Sequence, residues 1–211
     1  MNAIRPQPGD ALIIVDVQND FVPGGALAVP RGDEVIPVIN ALSRRFAQVV
    51  LTQDWHPAGH FSFASAHPGK QPFEVIPTLH GPQTLWPDHC VQGTRGAALH
   101  EGLEVTPARL LIRKGMNPAL DSYSAFFEND RAAVTGLGGA LRELGVRRVF
   151  IAGLATDFCV KFTALDARRL GFEALVIGDA CRGIDTQGSL EVAWKEMALA
   201  GAGRVNSAEI A

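Results

Sequence analysis

A three-layer α/β/α fold, with a mainly parallel central sheet and helices on both faces, is predicted by three features of the chain. Short apolar runs rich in β-branched residues alternate with stretches of helical period. Those runs are nearly continuous in apolar residues, as in strands covered on both faces of a parallel sheet. The chain has 211 residues, 47% hydrophobic and 19% charged. That is long enough for one substantial core and too apolar for a disordered segment.

Taken in order, Ala11–Val17 (ALIIVDV) is the first predicted strand. Asp16 lies at its end, and a carboxylate there is costly to bury without a partner, so it reads either as a turn cap or as a functional group. Phe21–Pro30 is a Gly/Pro loop, and a helix is predicted from Asp33 to about Ala47. Gln48–Thr52 is a second strand, followed by Asp54-Trp55-His56. The stretch Asp54–Gly93 differs in kind: it holds six of the thirteen prolines and five of the six histidines (His56, His60, His67, His80, His89). It reads as too Pro-rich for regular elements and as a long functional loop. A third strand, Ala108–Ile112, runs into Arg113-Lys114-Gly115, and Ser122–Asn129 is a loop carrying aromatics. A helix over roughly Leu137–Leu144 leads into Val149–Val160 (VFIAGLATDFCV), which reads as strand, tight turn and helix. Cys159 stands in or beside the first helical turn, where unpaired N–H groups and the positive dipole end favour thiolate. The alternative for Cys159 is a small buried side chain packing under the helix. Glu173–Ile177 is a further strand and Leu190–Ala200 a last amphipathic helix.

Several function classes are excluded at this level. A net charge of −3 offers no reason to expect a nucleic acid or an anionic membrane as partner. No apolar run is long enough to span a bilayer. The start MNAIRPQPGD lacks the apolar core of a signal peptide, so a cytoplasmic protein is expected. Three separated cysteines, Cys90, Cys159 and Cys181, fit reduced thiols better than a disulfide framework. A dinucleotide-binding module would carry a Gly-rich turn after the first strand, where Asp16-Val17-Gln18-Asn19 stands instead. A thiol redox protein would carry a C-x-x-C pair, and there is none.

Asp16, Asp54, Lys114 and the Cys159 turn all follow or close the carboxyl end of a predicted strand, the edge at which open α/β sheets bind ligands. Cys159 with a carboxylate and a lysine is a workable nucleophilic set without histidine. The carboxylate can accept the thiol proton, and the ammonium can stabilise the charges that develop. The N–H groups of Ala155 and Cys159 can bind an oxyanion at the turn. Taken alone, Lys114 also reads as an ordinary exposed lysine. Asp54-x-His56 with a later histidine is a candidate metal site of oxygen and nitrogen donors. Spacing does not choose the third ligand among His60, His67 and His89, and His89 beside Cys90 also reads as a packing pair.

Five ordered motifs carry a resemblance that runs nearly end to end. They are IIVDVQNDF (Ile13–Phe21), TQDWHPAGHFSFAS (Thr52–Ser65), LWPDHCVQGT (Leu85–Thr94), Arg113-Lys114-Gly115 and AGLATDFCVKFTALDA (Ala152–Ala167). Through them the chain resembles the nicotinamidase/pyrazinamidase group of the isochorismatase-like cysteine hydrolases. The resemblance implies that superfamily's fold as one domain over residues 1–211, with a metal-binding loop region at about 54–93. It implies cysteine-dependent, metal-assisted hydrolysis of nicotinamide to nicotinate and ammonia in NAD salvage, with pyrazinamide accepted as an analogue. Asp16, Lys114 and Cys159 are then the catalytic triad. Asp54, His56 and His89 are the ligands of one divalent metal, Zn²⁺ or Fe²⁺ with Mn²⁺ a further candidate. Phe21 and Trp86 match the aromatics that sandwich the ring, Tyr123 closes the pocket, and Leu154 and Ala155 add to the substrate site through a cis peptide bond between them. His60, a ligand in some relatives, is expected to be a loop histidine that supports the ligands or faces solvent. The expected partner is a small-molecule substrate, with no nucleic acid or membrane, acting on a monomer or homo-oligomer.

Overall fold

The computed structural model describes residues 3–211. Its elements run β1 (Asp10–Val15), α1 (Val35–Ser43), β2 (Gln48–Asp54), β3 (Val75–Thr78), β4 (Gly81–Thr84), β5 (Leu110–Lys114), α2 (Leu137–Glu143), β6 (Arg148–Leu154), α3 (Lys161–Arg169), β7 (Glu173–Arg182), α4 (Ser189–Leu199) and β8 (Gly203–Val205). Six strands form one sheet in the order β5-β2-β1-β6-β7-β8, and every pairing in it is parallel.

The continuous apolar runs are explained by cover on both faces of this sheet. Leu12 and Ile14 of β1 pack with Ile36, Ile39 and Leu42 of α1 on one face. The intervening Ala11, Ile13 and Val15 pack with Leu137 and Leu141 of α2, Ala164 and Ala167 of α3 and Met197 of α4 on the other. All five β1 residues are at most 1% exposed, and each large aliphatic side chain buried this way contributes up to about 1.5–3 kcal/mol.

From β1 the chain moves outward to β2 and β5, then crosses to β6 on the other side of β1. The strand order therefore reverses between β1 and β6, and the crevice beyond their carboxyl ends is where such sheets bind ligands.

Several boundaries differ from expectation for identifiable reasons. β1 stops at Val15, because Asp16 turns into the left-handed region with φ 47°, a conformation Asp tolerates better than most residues. α1 ends at Ser43 instead of near Ala47, where Arg45 N–H bonds Leu42 O and closes a tight turn. The third strand is Leu110–Lys114, carrying Lys114 on its last residue. β7 is ten residues long, and the three-residue β8 was too short to leave a periodic signal.

The Pro-rich stretch is not free of regular structure. β3 and β4 form an antiparallel hairpin in which Pro77 faces Pro82. Confining both prolines to one cross-strand pair leaves the neighbouring ladder positions with their N–H groups. Among the described residues no helix is long and apolar enough to cross a membrane, and the three cysteines are free.

Candidate active site

Four adjacent strands deliver the polar groups to one edge. Lys114 closes β5 and Asp54 closes β2, and the two are partners in the parallel ladder. Asp16 follows β1, and the turn from Ala155 to Cys159 follows β6. Lys114 Nζ lies 2.9 Å from Asp16 Oδ2 and 3.2 Å from Asp54 Oδ1. It donates to Ser122 O at 3.0 Å and to Cys159 Sγ at 3.5 Å. Thr52 fixes the other side of Asp16: its hydroxyl donates to Asp16 Oδ1 at 2.5 Å and accepts the Asp16 N–H at 3.1 Å. Asp16 Oδ2 has no hydrogen-bond donor of good geometry, which leaves it available to the Cys159 thiol. Asp16 and Lys114 are both fully buried, and Cys159 is 6% exposed.

Burial pushes the Cys159 thiol well above its usual range, and Lys114 only partly opposes this. Burial thus favours the thiol form of this candidate nucleophile over the thiolate that a helix start alone would favour. Burial raises the Asp16 carboxyl too, against the pull of Lys114, and that makes it a stronger base than an ordinary aspartate. Burial opposes the Lys114 charge, but Asp16 and Asp54 outweigh it and hold Lys114 well above its ordinary value. A raised carboxylate base beside a neutral thiol, under a fixed cation, suits proton transfer coupled to attack.

Asp54, His56 and His89 form a second cluster next to the first, with candidate ligand atoms all within 4.8 Å of one another. His56 Nδ1 contacts Gly115 O at 2.9 Å and His89 Nδ1 contacts Pro87 O at 2.8 Å. A carbonyl accepts only, so each ring presents N–H at Nδ1 and a lone pair at Nε2 when neutral. Those Nε2 atoms lie 3.0 and 3.4 Å from Asp54 Oδ2, an acceptor facing acceptors. His56 Nε2 and Asp54 Oδ1 are buried without a hydrogen-bond partner. A proton on His56, which Asp54 favours, or a bound cation resolves that arrangement, and two imidazoles with one carboxylate suit a divalent transition metal. Gly115, at φ 67°, leaves room for the cluster: a Cβ there would lie 2.5 Å from His56 Cε1.

His60 is fully buried, so the solvent-facing expectation for it does not hold. Its Nδ1 pairs with Ser62 Oγ at 2.8 Å and its Nε2 with Asn117 O at 2.8 Å. Both nitrogens are engaged while the ring lies 4.2 Å, centroid to centroid, from His56. His67 Nε2 is occupied by Phe61 O at 2.7 Å.

A narrow cleft with a cavity volume of about 20 Å³ opens over Cys159, Asp54 and His89, with Phe21, Leu27, Trp86, Asp121, Tyr123, Ala155, Phe158 and Ile184 completing its lining. This is far below the usual size of a ligand pocket, so the side chains around it must part to admit a ring. Trp86 stands edge-on to Phe158 at 4.8 Å, and its indole N–H donates to Tyr123 Oη at 3.2 Å. Phe21, Trp86, Tyr123 and Ala155 thus come together around one cleft. Leu154 does not line the cleft: its side chain packs in the core on the α1 face. The Leu154–Ala155 peptide bond is cis. Cys159 lies in a π-turn, Thr156–Val160, that precedes α3. Thr52, Ser122 and Phe158 were not singled out from the sequence as site residues, nor was Gln18, whose side chain bonds both N–H and C=O of Asp54 at 2.8 Å. Thr52 and Gln18 act across strands 36 positions apart in the chain, which no local pattern carries, whereas Phe158 adjoins Cys159 in the same turn.

Comparison with known proteins adds to this geometry. The family model described as "Isochorismatase domain" matches residues 10–209. A nicotinamidase of Acinetobacter baylyi is 56% identical over 200 residues, covering 95% of this chain and 94% of that protein. The solved structure of a nicotinamidase/pyrazinamidase of Acinetobacter baumannii is similar with TM-score 0.95 and 55% identity, over 96% of this chain and 98% of that one. A pyrazinamidase of Pyrococcus horikoshii solved in complex with zinc is similar with TM-score 0.77 and 40% identity, over 94% and 99%.

Proposed function

The chain belongs to the isochorismatase domain family, and within it we propose that this protein is a nicotinamidase, hydrolysing nicotinamide to nicotinate and ammonia. The observation that carries the reading is the juxtaposition of Cys159, 3.5 Å from Lys114 Nζ, with Asp54 and His89 in one aromatic cleft, and with His56 Nε2 buried and unpartnered within 4.8 Å of their candidate ligand atoms. An acyl-transfer nucleophile beside a site for a ring nitrogen is what a pyridine carboxamide requires.

In this reading Phe21 and Trp86 take the ring between them and Tyr123 closes over it. Asp54, His56 and His89 would hold one divalent metal, zinc being favoured by the zinc-bound Pyrococcus relative. When bound, that metal supplies a Lewis-acidic anchor for the ring nitrogen. Asp16 takes the Cys159 proton as the sulfur bonds to the carboxamide carbon. The carbonyl π pair moves to oxygen, which the Ala155 and Cys159 N–H groups hold. As the oxyanion collapses the C–N bond breaks, and Asp16 returns its proton to the leaving nitrogen, giving ammonia and a thioester. Water then adds to the thioester and passes a proton to Asp16. The C–S bond breaks, Cys159 recovers the proton, and nicotinic acid ionises to nicotinate. Lys114 keeps Asp16 in place and offsets the charge on sulfur in both halves. The same chemistry applies to pyrazinamide, which presents a ring nitrogen and carboxamide alike.

Ammonia release from nicotinamide by wild type and by Cys159→Ala, with metal supplied, tests the proposal. Wild-type turnover with a loss of at least about 10³-fold in the variant is expected. An inactive wild type sinks the substrate assignment, and a variant of near-full activity sinks the mechanism.

A further inference from the structure

The reaction described above makes no use of Asp157. It is the second residue of the π-turn, two positions before Cys159, and is 1% exposed. Its carboxylate accepts the Ile184 N–H at 3.0 Å, the Asp185 N–H at 2.8 Å and the Ser189 hydroxyl at 2.5 Å. The first two donors lie in the segment that joins β7 to α4, and Ser189 is the first residue of α4. That segment does not hold itself by local preference, since Asp185 and Gln187 sit at φ 58° and 54°, where non-glycine residues are uncommon. Ile184 carries the first of the three donors, and its side chain lines the cleft beside Cys159 and Phe158.

We infer that Asp157 is a positioning residue that clamps the Ile184 wall to the nucleophile's turn and so sets how large a pyridine ring the cleft admits. The inference rests on the nicotinamidase reading and goes beyond it to the selectivity of the site. Hydrogen bonds to a carboxylate are stronger than neutral ones, and two of these end on backbone N–H groups of the wall itself. Removing the acceptor leaves these partly exposed donors to take water as their partner, and the segment relaxes outward toward it. Ile184 then retreats from the ring. An apolar wall discriminates by roughly 10- to 200-fold for each methylene it excludes, so its retreat relaxes selectivity.

The test compares kcat/KM for nicotinamide with kcat/KM for nicotinamides methylated at each free ring carbon, in wild type, Asp157→Asn, Asp157→Ala and Ser189→Ala. A ratio between two substrates does not depend on the folded fraction, so a merely structural loss cancels. For at least one methyl isomer the ratio is expected to narrow by about tenfold in the Asp157 variants. Unchanged ratios for every isomer overturn the clamp. If neither Asp157 variant folds, Ser189→Ala decides: narrowing for some isomer by about threefold supports the clamp, and unchanged ratios overturn it. Wild-type turnover of nicotinamide is measured first, and its absence sinks the functional reading instead of the clamp.

Discussion

Lys114 is fully buried yet held as a cation, because the carboxylates of Asp16 and Asp54 converge on it from two neighbouring strand ends. Charges so placed persist only in company, and the same need for partners explains Glu128. That side chain is half-buried on the loop behind Ser122, its Oε2 has no hydrogen-bond partner, and burial pushes its carboxyl up to about 7. The folded chain thus binds this proton more tightly than the unfolded chain does. The stabilisation is complete below the ordinary glutamate range and is lost as pH rises through about 7. Glu128→Gln, which resembles the protonated form, is expected to stabilise the protein at pH 8 by about 1 kcal/mol, a value discounted for solvent screening of a half-buried group. In melting curves this is a rise of about 2–4 °C at pH 8 and no change near pH 4.5. Equal shifts at both pH values would reject the assignment.

At the scale of elements, the close contact of β1 and β6 decides where the two halves of the catalytic edge meet. Gly153 is paired with Val15, beside a register shift in the ladder to β7. A Cβ at Gly153 would lie 2.1 Å from Val15 O, and its φ is 120°. Gly153→Ala is expected to cost on the order of 3 kcal/mol or more in urea unfolding, through a backbone clash and an unfavourable φ together. A loss below about 1 kcal/mol would mean that β6 gives way easily. Most elements were legible in the chain, since two-sided burial writes a run of apolar residues into β1, β2 and β6 wherever they pack. The β3–β4 hairpin was not, because it packs no such run and its prolines argue against strand by composition. The π-turn was not legible either, as it differs from an α-turn by one residue of hydrogen-bond register.

For the molecule as a whole, a metal held at the proposed cluster of Asp54, His56 and His89 would couple its binding to stability. Metal that binds only the folded chain stabilises it by mass action, about 2.7 kcal/mol at a hundredfold excess over Kd. Chelation is therefore expected to lower the melting temperature and abolish ammonia release together, and re-addition of Zn²⁺ to restore both. Activity that survived complete metal removal would take those three residues out of the site. Candidate residues for both clusters were present in the sequence as polar types in costly places: Asp16 closing an apolar run, Asp54 and Lys114 at strand ends, Cys159 at a helix start. Local composition and the family motifs were enough to mark them, because the cost of burying a polar group is a property of its immediate neighbours in the chain. The pairing of Asp54 with Lys114, the grip of Thr52 on Asp16, the raised thiol of Cys159 and the hold of Asp157 on Ile184 came only with the tertiary structure. Each depends on distances between segments far apart in the chain, set by strand order and register, and electrostatic fields act across that space and not along the sequence.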